Sequence, residues 1–527
     1  MPADVLESPA PAPARSHEHP EGRNYHPALL IAVVATSAVL RVYDVSSKSF
    51  WFDEAVSAEI AKLPWSQFFL VLWKREANMA LYYGLLHFWI HIGSTVWIIR
   101  FFSVLISVAT VPILFLLGER LFGRKAGLLA AWLLAINAYH ICYGQEARAY
   151  ALVVFLATLA TLLFVRNVQD PASARWGSYA AVCALAVYSH FFGGLMVIAH
   201  GVSLFYLKRK EAPWRDFLRG VFWFAALVVP VAIFVFKTGA GPINWIQTVN
   251  LESISGFLAA FAGNGGWKLV LLDAFAGILA MIGAWKLWHK EGRTVEGWGY
   301  ALVAAWFLAP IVIVLAASPV LPLFVPRYLS PCLPALILIV ADGVTRLRPT
   351  ALAWLLGAAI SIASLAGTAS YYQKDFDVGR NDWPGATSFV FDHAWPGDTA
   401  FFYLNFARVP FEFYRSQRRP PSEWPKALVA ESSTGLTYRD FMFTNLGESL
   451  QSGGAAGDRV WLILMYDTAK DGKPNVASDV TRAVFGKGRQ LIESKNFSGI
   501  TVLLFARSAP HADETNRESH QIPGSAN

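Results

Sequence analysis

From Pro27 to Ser370 the chain alternates long apolar runs with short polar clusters. Eleven runs approach the ~20 residues that a helix needs to cross a bilayer: 27–44, 100–117, 126–142, 148–165, 176–189, 191–207, 220–236, 267–288, 298–317, 327–340 and 351–370. A further run, Leu81 to Ile99, decides the topology, because its crossing would reverse every later loop. Read as dipping in and out on one side, it leaves Arg120, Arg124 and Lys125 cytoplasmic, together with Lys208 to Lys210, Lys286, Lys290, Arg293, Arg346 and Arg348. That is what the positive-inside rule requires. The pattern predicts a polytopic α-helical membrane protein of about eleven transmembrane helices, with the N-terminus cytoplasmic and the C-terminal part extracytoplasmic. The segment Ala55 to Lys74 mixes Trp65, Phe68, Phe69 and Trp73 with Glu59, Lys62 and Gln67, which predicts an amphipathic helix lying on the membrane surface.

From Tyr371 onward the apolar runs shorten and turn residues multiply, as at Pro384-Gly385, Pro396-Gly397-Asp398 and Pro420-Pro421. Short β-rich runs at 399–404, 459–466 and 500–505 alternate with helix-like ones at 383–393 and 407–414, predicting a small α/β domain of ~150 residues. The expected divisions are a disordered cytoplasmic tail at 1–26, a membrane catalytic domain at 27–370, the α/β domain at 371–508 and a polar disordered tail at 509–527. The tail before Pro27 has no apolar core of a cleavable signal, so the first span is expected to act as an uncleaved one.

Composition sharpens this reading. The 527 residues are 55% hydrophobic, 14% aromatic and 15% charged, against roughly 25% charged in soluble domains. The net charge of +7 lies in clusters between apolar runs and not on an aromatic-interleaved face, which sets nucleic acid aside. Cys142, Cys183 and Cys332 sit in apolar runs without metal-ligand spacing and read as core residues.

The candidate chemistry gathers on the outer rim of this topology. Asp53 and Glu54 follow the first span, behind Phe50, Trp51 and Phe52. Gln145, Glu146, Arg148 and Tyr150 mark a helix-to-helix turn, His190 lies between two spans, and Arg327-Tyr328 opens another. Ionisable groups at the bilayer boundary are candidates for function, although Arg148 and Arg327 could equally anchor helices to headgroups and His190 could be a turn residue. Asp273, alone inside a span, reads as hydrogen-bonded packing. Together the rim groups suit transfer from a lipid carrier. Arg327 and Arg148 would bind the donor phosphate with their planar forks. A carboxylate, Asp53 with Glu54 beside it, would act as base for an acceptor hydroxyl. Gln145, Glu146, Tyr150, His190 and Tyr328 would line the substrate pocket.

Several stretches carry a family resemblance: WFDEAVSAEIA, ALYYGLLHFW followed by Arg100, RLFGRKAGLLAAWLLA, YGQEARAYAL and VPRYLSPCLPAL. As an ordered series over residues 27–345 they resemble the GT-C glycosyltransferases, in the family 39, protein-O-mannosyltransferase-like branch that includes aminoarabinose transferases. The resemblance implies membrane-parallel helices in the first outer loop, a catalytic Asp at Asp53, a polyprenyl-phosphate sugar donor, inverting transfer and Arg327 near the donor phosphate. The acceptor could be lipid, polysaccharide or protein. Many relatives have a Pro-Pro pair where this chain has Asn78-Met79-Ala80. No cofactor follows from these residues, though Asp53, Glu54 and Glu146 could offer oxygens to a divalent cation. The competing readings are a transporter or flippase of a lipid-linked or anionic solute, and a scaffold whose outer domain binds a ligand. A transporter would favour ionisable residues near the midplane within inverted repeats.

Overall fold

The computed structural model describes residues 27–239, 246–373, 381–428, 436–442, 457–467 and 475–507; the tails expected at 1–26 and 509–527 lie outside these. Helices fall where the apolar runs place them. They are α1 (Pro27–Val42), α5 (Val96–Phe122), α6 (Arg124–Ile136), α7 (Ala138–Gly144), α8 (Tyr150–Gln169), α9 (Trp176–Ser189), α10 (Leu195–Leu204) and α11 (Trp214–Thr238), followed by α13 (Gly266–Glu291), α14 (Val295–Ala317), α15 (Leu333–Arg346) and α16 (Thr350–Gln373). Among the described residues, seven helical segments are long and apolar enough to cross a membrane, or eight if α6 and α7, bent by 61°, form one span. The other three of the eleven expected spans are shorter: α1 has 16 residues, α9 has 14, and Phe191–Leu204 is likewise below the length of a full span. Helix α12 (Leu251–Phe261) was not anticipated.

Arg41, in the last turn of α1, points inward. Fully buried, it donates to the carbonyls of Ala135 at 2.9 Å and Leu134 at 3.2 Å and to Ser107 Oγ at 2.7 Å, and lies 2.7 Å from His140 Nδ1. Those carbonyls are left over where α6 stops, and Asn137 caps α7 by accepting from His140 N at 3.0 Å. At Gly343 a side chain would meet the carbonyl oxygen of Ala276 at 1.8 Å, so α13 and α15 cross in close backbone contact.

The segment between the first two long helices is folded, not laid flat as one amphipathic helix. It contains α2 (Phe52–Lys62), α3 (Trp65–Val71) and α4 (Ala80–Trp89). Pro64, without an N–H, separates the first two. Helix α2 is buried from Glu54 to Ala61, its small residues Ala55, Ala58 and Ala61 admitting neighbours on both sides. The surface character expected of the whole segment belongs to α3, where Trp65, Phe69 and Leu70 are exposed. The run Leu81 to Ile99 is two elements: α4, whose ten residues extend roughly 15 Å, half a bilayer core, then a turn and the start of α5.

The C-terminal part is a five-stranded sheet of order β2-β1-β3-β5-β4. Its strands are β1 (Thr399–Phe402), β2 (Lys426–Ala427), β3 (Arg459–Met465), β4 (Gln490–Phe497) and β5 (Ile500–Ala506). The first three are parallel, while β5 runs antiparallel to both β3 and β4. Helices α17 (Trp383–His393) and α18 (Arg408–Gln417) cover one face, and the helix Val476–Gly486 covers the other through Phe485 against Phe401, 4.6 Å apart. Helix α18 docks on the loop before α2. Phe413 stacks on Phe50 at 4.5 Å, and the Tyr414 hydroxyl accepts from Phe50 N at 3.0 Å and donates to Phe50 O at 3.2 Å.

Candidate active site

Asp53 and Glu54 occupy the first turn of α2, where unsatisfied backbone N–H groups and the helix dipole favour carboxylates. Successive helical residues are rotated by roughly 100°, so the two acids point apart. Glu54 turns inward. Its oxygens take Arg100 Nε at 2.8 Å and Nη2 at 2.6 Å, and Ala147 N donates to it at 2.8 Å. Arg100 also donates to the carbonyls of Val45, Lys48 and Ser49 at 2.8–3.0 Å. Glu54 therefore ties the first loop to the turn at Ala147. Expected beside the base, it is fully buried against Arg100.

Asp53 keeps 20% of its side chain exposed, with Oδ2 3.7 Å from Arg148 Nη2. Arg148 is nearly buried, and its Nη1 also faces Asp53 O, Ser57 Oγ and Tyr83 Oη at 3.2–3.4 Å. Read from sequence as a phosphate ligand, Arg148 is instead directed at the carboxylate and at α2 and α4. Ser57, one turn after Asp53 and donating to its carbonyl at 2.9 Å, was readable from the spacing, as was Tyr83 in ALYYGLLHFW, though neither was singled out.

Arg327 opens a 3-10 helix, Pro326–Cys332, that Tyr139 Oη anchors at Pro326 O, 2.8 Å away. Its guanidinium is half-buried, 5.9 Å from the Trp51 ring centre and 5.8 Å from that of Tyr328. The His190 ring lies 4.7 Å from Tyr328 and 5.9 Å from Tyr150, and Tyr150 is 5.0 Å from Tyr143. Burial, and after it the charges of Arg148 and Arg327, lowers the His190 pKa to about 3, so the imidazole is neutral. Asn78, in the place of the relatives' Pro-Pro pair, accepts from Phe191 N at 3.0 Å and joins this turn to the first loop.

Asp53, Arg148, His190, Tyr150, Tyr328 and Arg327 thus share one rim. Gln145 does not face it: its side chain bridges Arg41 O, Tyr43 O and Tyr371 Oη at 2.8–3.0 Å, fastening α1 to α16. Glu146 is buried in the same turn. With Glu54 closed on Arg100, the expected trio Asp53, Glu54 and Glu146 offers no shared set of oxygens to a cation, and no group of three acidic, His or Cys ligands exists among the described residues. Three buried polar atoms on the rim, Trp51 Nε1, Arg148 Nε and His190 Nε2, have no hydrogen-bond partner among the described residues. Buried polar groups ordinarily have one, so these point to a place for water or ligand.

Within the helices a cavity of about 680 Å³ runs among α12, α13, α14 and α15, lined by Phe257, Phe261, Trp285, Phe307 and Ile339. Asp273, expected to be packed in a hydrogen bond, lines this cavity instead. At one end of the cavity Phe261 packs on Tyr139 at 5.1 Å, and through Tyr143 that ring leads to Tyr150.

Residues 79–236 match the family model of dolichyl-phosphate-mannose-protein mannosyltransferases. No curated protein sequence matches the chain. Among solved structures, ArnT from Cupriavidus metallidurans in the apo state superposes with a TM-score of 0.58 at 11% identity, covering 91% of this chain and 98% of ArnT. The same protein bound to undecaprenyl phosphate gives 0.57 at 11% identity, covering 90% and 98%. The Archaeoglobus fulgidus oligosaccharyltransferase tethered to an acceptor peptide gives 0.53 at 10% identity, covering 92% of this chain and 74% of that one. With 91–92% of the chain inside these superpositions, the protein is a membrane protein of the GT-C fold.

Proposed function

We propose that the protein is an inverting glycosyltransferase that moves a sugar from a polyprenyl-phosphate carrier to an acceptor hydroxyl on the extracytoplasmic side. The supporting observation is that a partly exposed carboxylate, Asp53, and a ring-flanked guanidinium, Arg327, face the same rim. The apolar cavity beside that rim suits a lipid chain. In the reaction the acceptor oxygen attacks the anomeric carbon from the side opposite the phosphate. Asp53 takes the hydroxyl proton as the new bond forms. The bond from carbon to phosphate oxygen breaks with its electrons leaving on the phosphate, and Arg327 stabilises that charge. Arg148 holds the Asp53 carboxylate in place, and neutral His190 and Tyr328 shape the sugar pocket. The phosphate leaves readily, so no second acid is needed, and Glu54 takes no part in the proton transfer.

The basic clusters support the orientation. The far ends of α5 and α8 meet through Gln169 Nε2 and Arg120 O at 3.4 Å, bringing Arg120 and Arg166 to the end of the bundle away from Asp53. The acceptor, whether lipid, polysaccharide or protein, would then approach from the outer water phase. Asp53→Asn protein that still binds undecaprenyl phosphate is expected to lose at least about 100-fold in transfer of labelled sugar from its lipid carrier. Full transfer by that variant would rule Asp53 out as the base.

A further inference from the structure

We infer that Tyr466, at the end of β3 in the C-terminal sheet, overhangs the Asp53–Arg327 rim and positions the acceptor there. The inference rests on the glycosyl-transfer reading. Strands β1 and β3 are parallel, Phe402 pairing with Ile463, so their C-terminal ends share one edge of the sheet. Just past β1, Phe406 packs on Phe52 at 5.1 Å, beside Asp53. Just past β3 comes Tyr466. At the same edge Ser49 Oγ donates to Asn381 O at 2.7 Å, so this edge meets the first loop of the membrane part at several points.

Tyr466 adopts φ +60°, the left-handed region that aromatic residues avoid. Neighbours hold it there. Asn475 Nδ2 donates to Tyr466 O at 3.3 Å and Asn475 N to Asp467 O at 2.9 Å, while the Asp467 carboxylate receives Arg482 and Ser478. Strain kept in place by surrounding contacts is a feature of functional sites. The preceding residues Val460 to Met465 are all buried, but Tyr466 is 52% exposed, so the sheet's own packing does not require the ring. Although the ring is half exposed, its hydroxyl is drawn toward the site: desolvation of that tip and then the negative charge of Asp53 raise its pKa, with Arg327 opposing.

A tyrosine ring offers a rigid apolar face and a hydroxyl tip at low entropic cost. That suits a hydroxyl-bearing acceptor, whose C–H face lies on the ring and whose oxygen takes the phenol proton in a hydrogen bond. The sheet covers the rim from the side away from the helices, whereas a lipid-borne donor arrives between them, which assigns Tyr466 to the acceptor.

The test uses full-length protein in nanodiscs, with labelled lipid-linked sugar and acceptor fractions from membranes lacking the protein, and radiolabelled undecaprenyl phosphate as a binding probe. Tyr466→Ala is expected to raise the acceptor concentration for half-maximal rate by about tenfold, with the maximal rate and undecaprenyl phosphate affinity held within about threefold. Tyr466→Gly, which relieves the backbone, should show the same shift with a Tm at or above that of the wild type. Unchanged acceptor curves in both variants overturn the inference, as does a loss confined to undecaprenyl phosphate binding. Wild-type protein that binds the probe yet transfers nothing removes the glycosyl-transfer reading, and this inference with it.

Discussion

Glu54 lays both carboxylate oxygens on Arg100, at 2.8 and 2.6 Å, inside the protein, while its neighbour Asp53 stays 20% exposed on the rim. One helical step separates an acid closed against an arginine from one that stays accessible. Removing one partner of a buried pair leaves the other charge uncompensated, at a cost of about 3–5 kcal/mol, whereas removing both is far milder. Arg100→Met should therefore lower Tm sharply, and the double variant Glu54→Gln/Arg100→Met should recover much of the loss. Whatever folded Glu54→Gln is obtained should retain transfer per molecule. A Glu54→Gln protein of normal Tm and no transfer would make Glu54 catalytic after all.

Arg327 has its guanidinium flanked by Trp51 and Tyr328. A charge-assisted contact of this kind contributes about 1.5–3 kcal/mol, or ten- to a hundredfold in affinity. Arg327→Gln should weaken undecaprenyl phosphate binding across that range. Arg327→Lys, which keeps the charge but not the fork, should fall between it and the wild type. Equal binding by all three proteins would place the phosphate elsewhere.

The pKa of His190, lowered to about 3, lies below the ~6.5 of an unfolded chain. Between those values the unfolded state binds more protons, so stability falls as pH falls through that window. At pH 5 the loss from this residue is about 2 kcal/mol. His190→Gln should flatten the acid side of the Tm-against-pH curve relative to wild type, leaving it unchanged above pH ~7. Parallel curves would mean that His190 takes up its proton in the folded protein.

Where α13 and α15 cross, Gly343 leaves no room for a Cβ against Ala276. Gly343→Ala should push the helices apart at a cost of about 1–3 kcal/mol, seen as a lower Tm in detergent. An unchanged Tm would show that the two backbones separate freely.

The spans were legible because hydrocarbon tolerates little besides continuous apolar helices, and β1, β3 and β5 because their apolar runs end in turn residues. β4 has no such signal: seven of its eight residues run Gln-Leu-Ile-Glu-Ser-Lys-Asn, mixed in polarity because the strand lies at an edge. The segment from Ala55 to Lys74 departs from its pattern for a related reason. Its polar and apolar residues suggest a helix between water and lipid, but α2 has protein on both sides, a cover that comes from α18 more than 350 residues later. Sequence places Asp53, His190, Tyr328 and Arg327 on one rim but does not tell the exposed Asp53 from the buried Glu54. Adjacent letters say nothing about which way a side chain points until the helix start is known. Nothing in the sequence marked Tyr466, whose significance lies in a backbone angle and a strand register.

Phe50 gives its ring to Phe413 and both its backbone groups to Tyr414. The C-terminal sheet domain is therefore no detachable appendage. It serves as the lid of the box in which α2 sits, and cutting it away would lay open the apolar flank of the helix that carries Asp53. A change on either side of the Phe50–Tyr414 contact is therefore felt on the other.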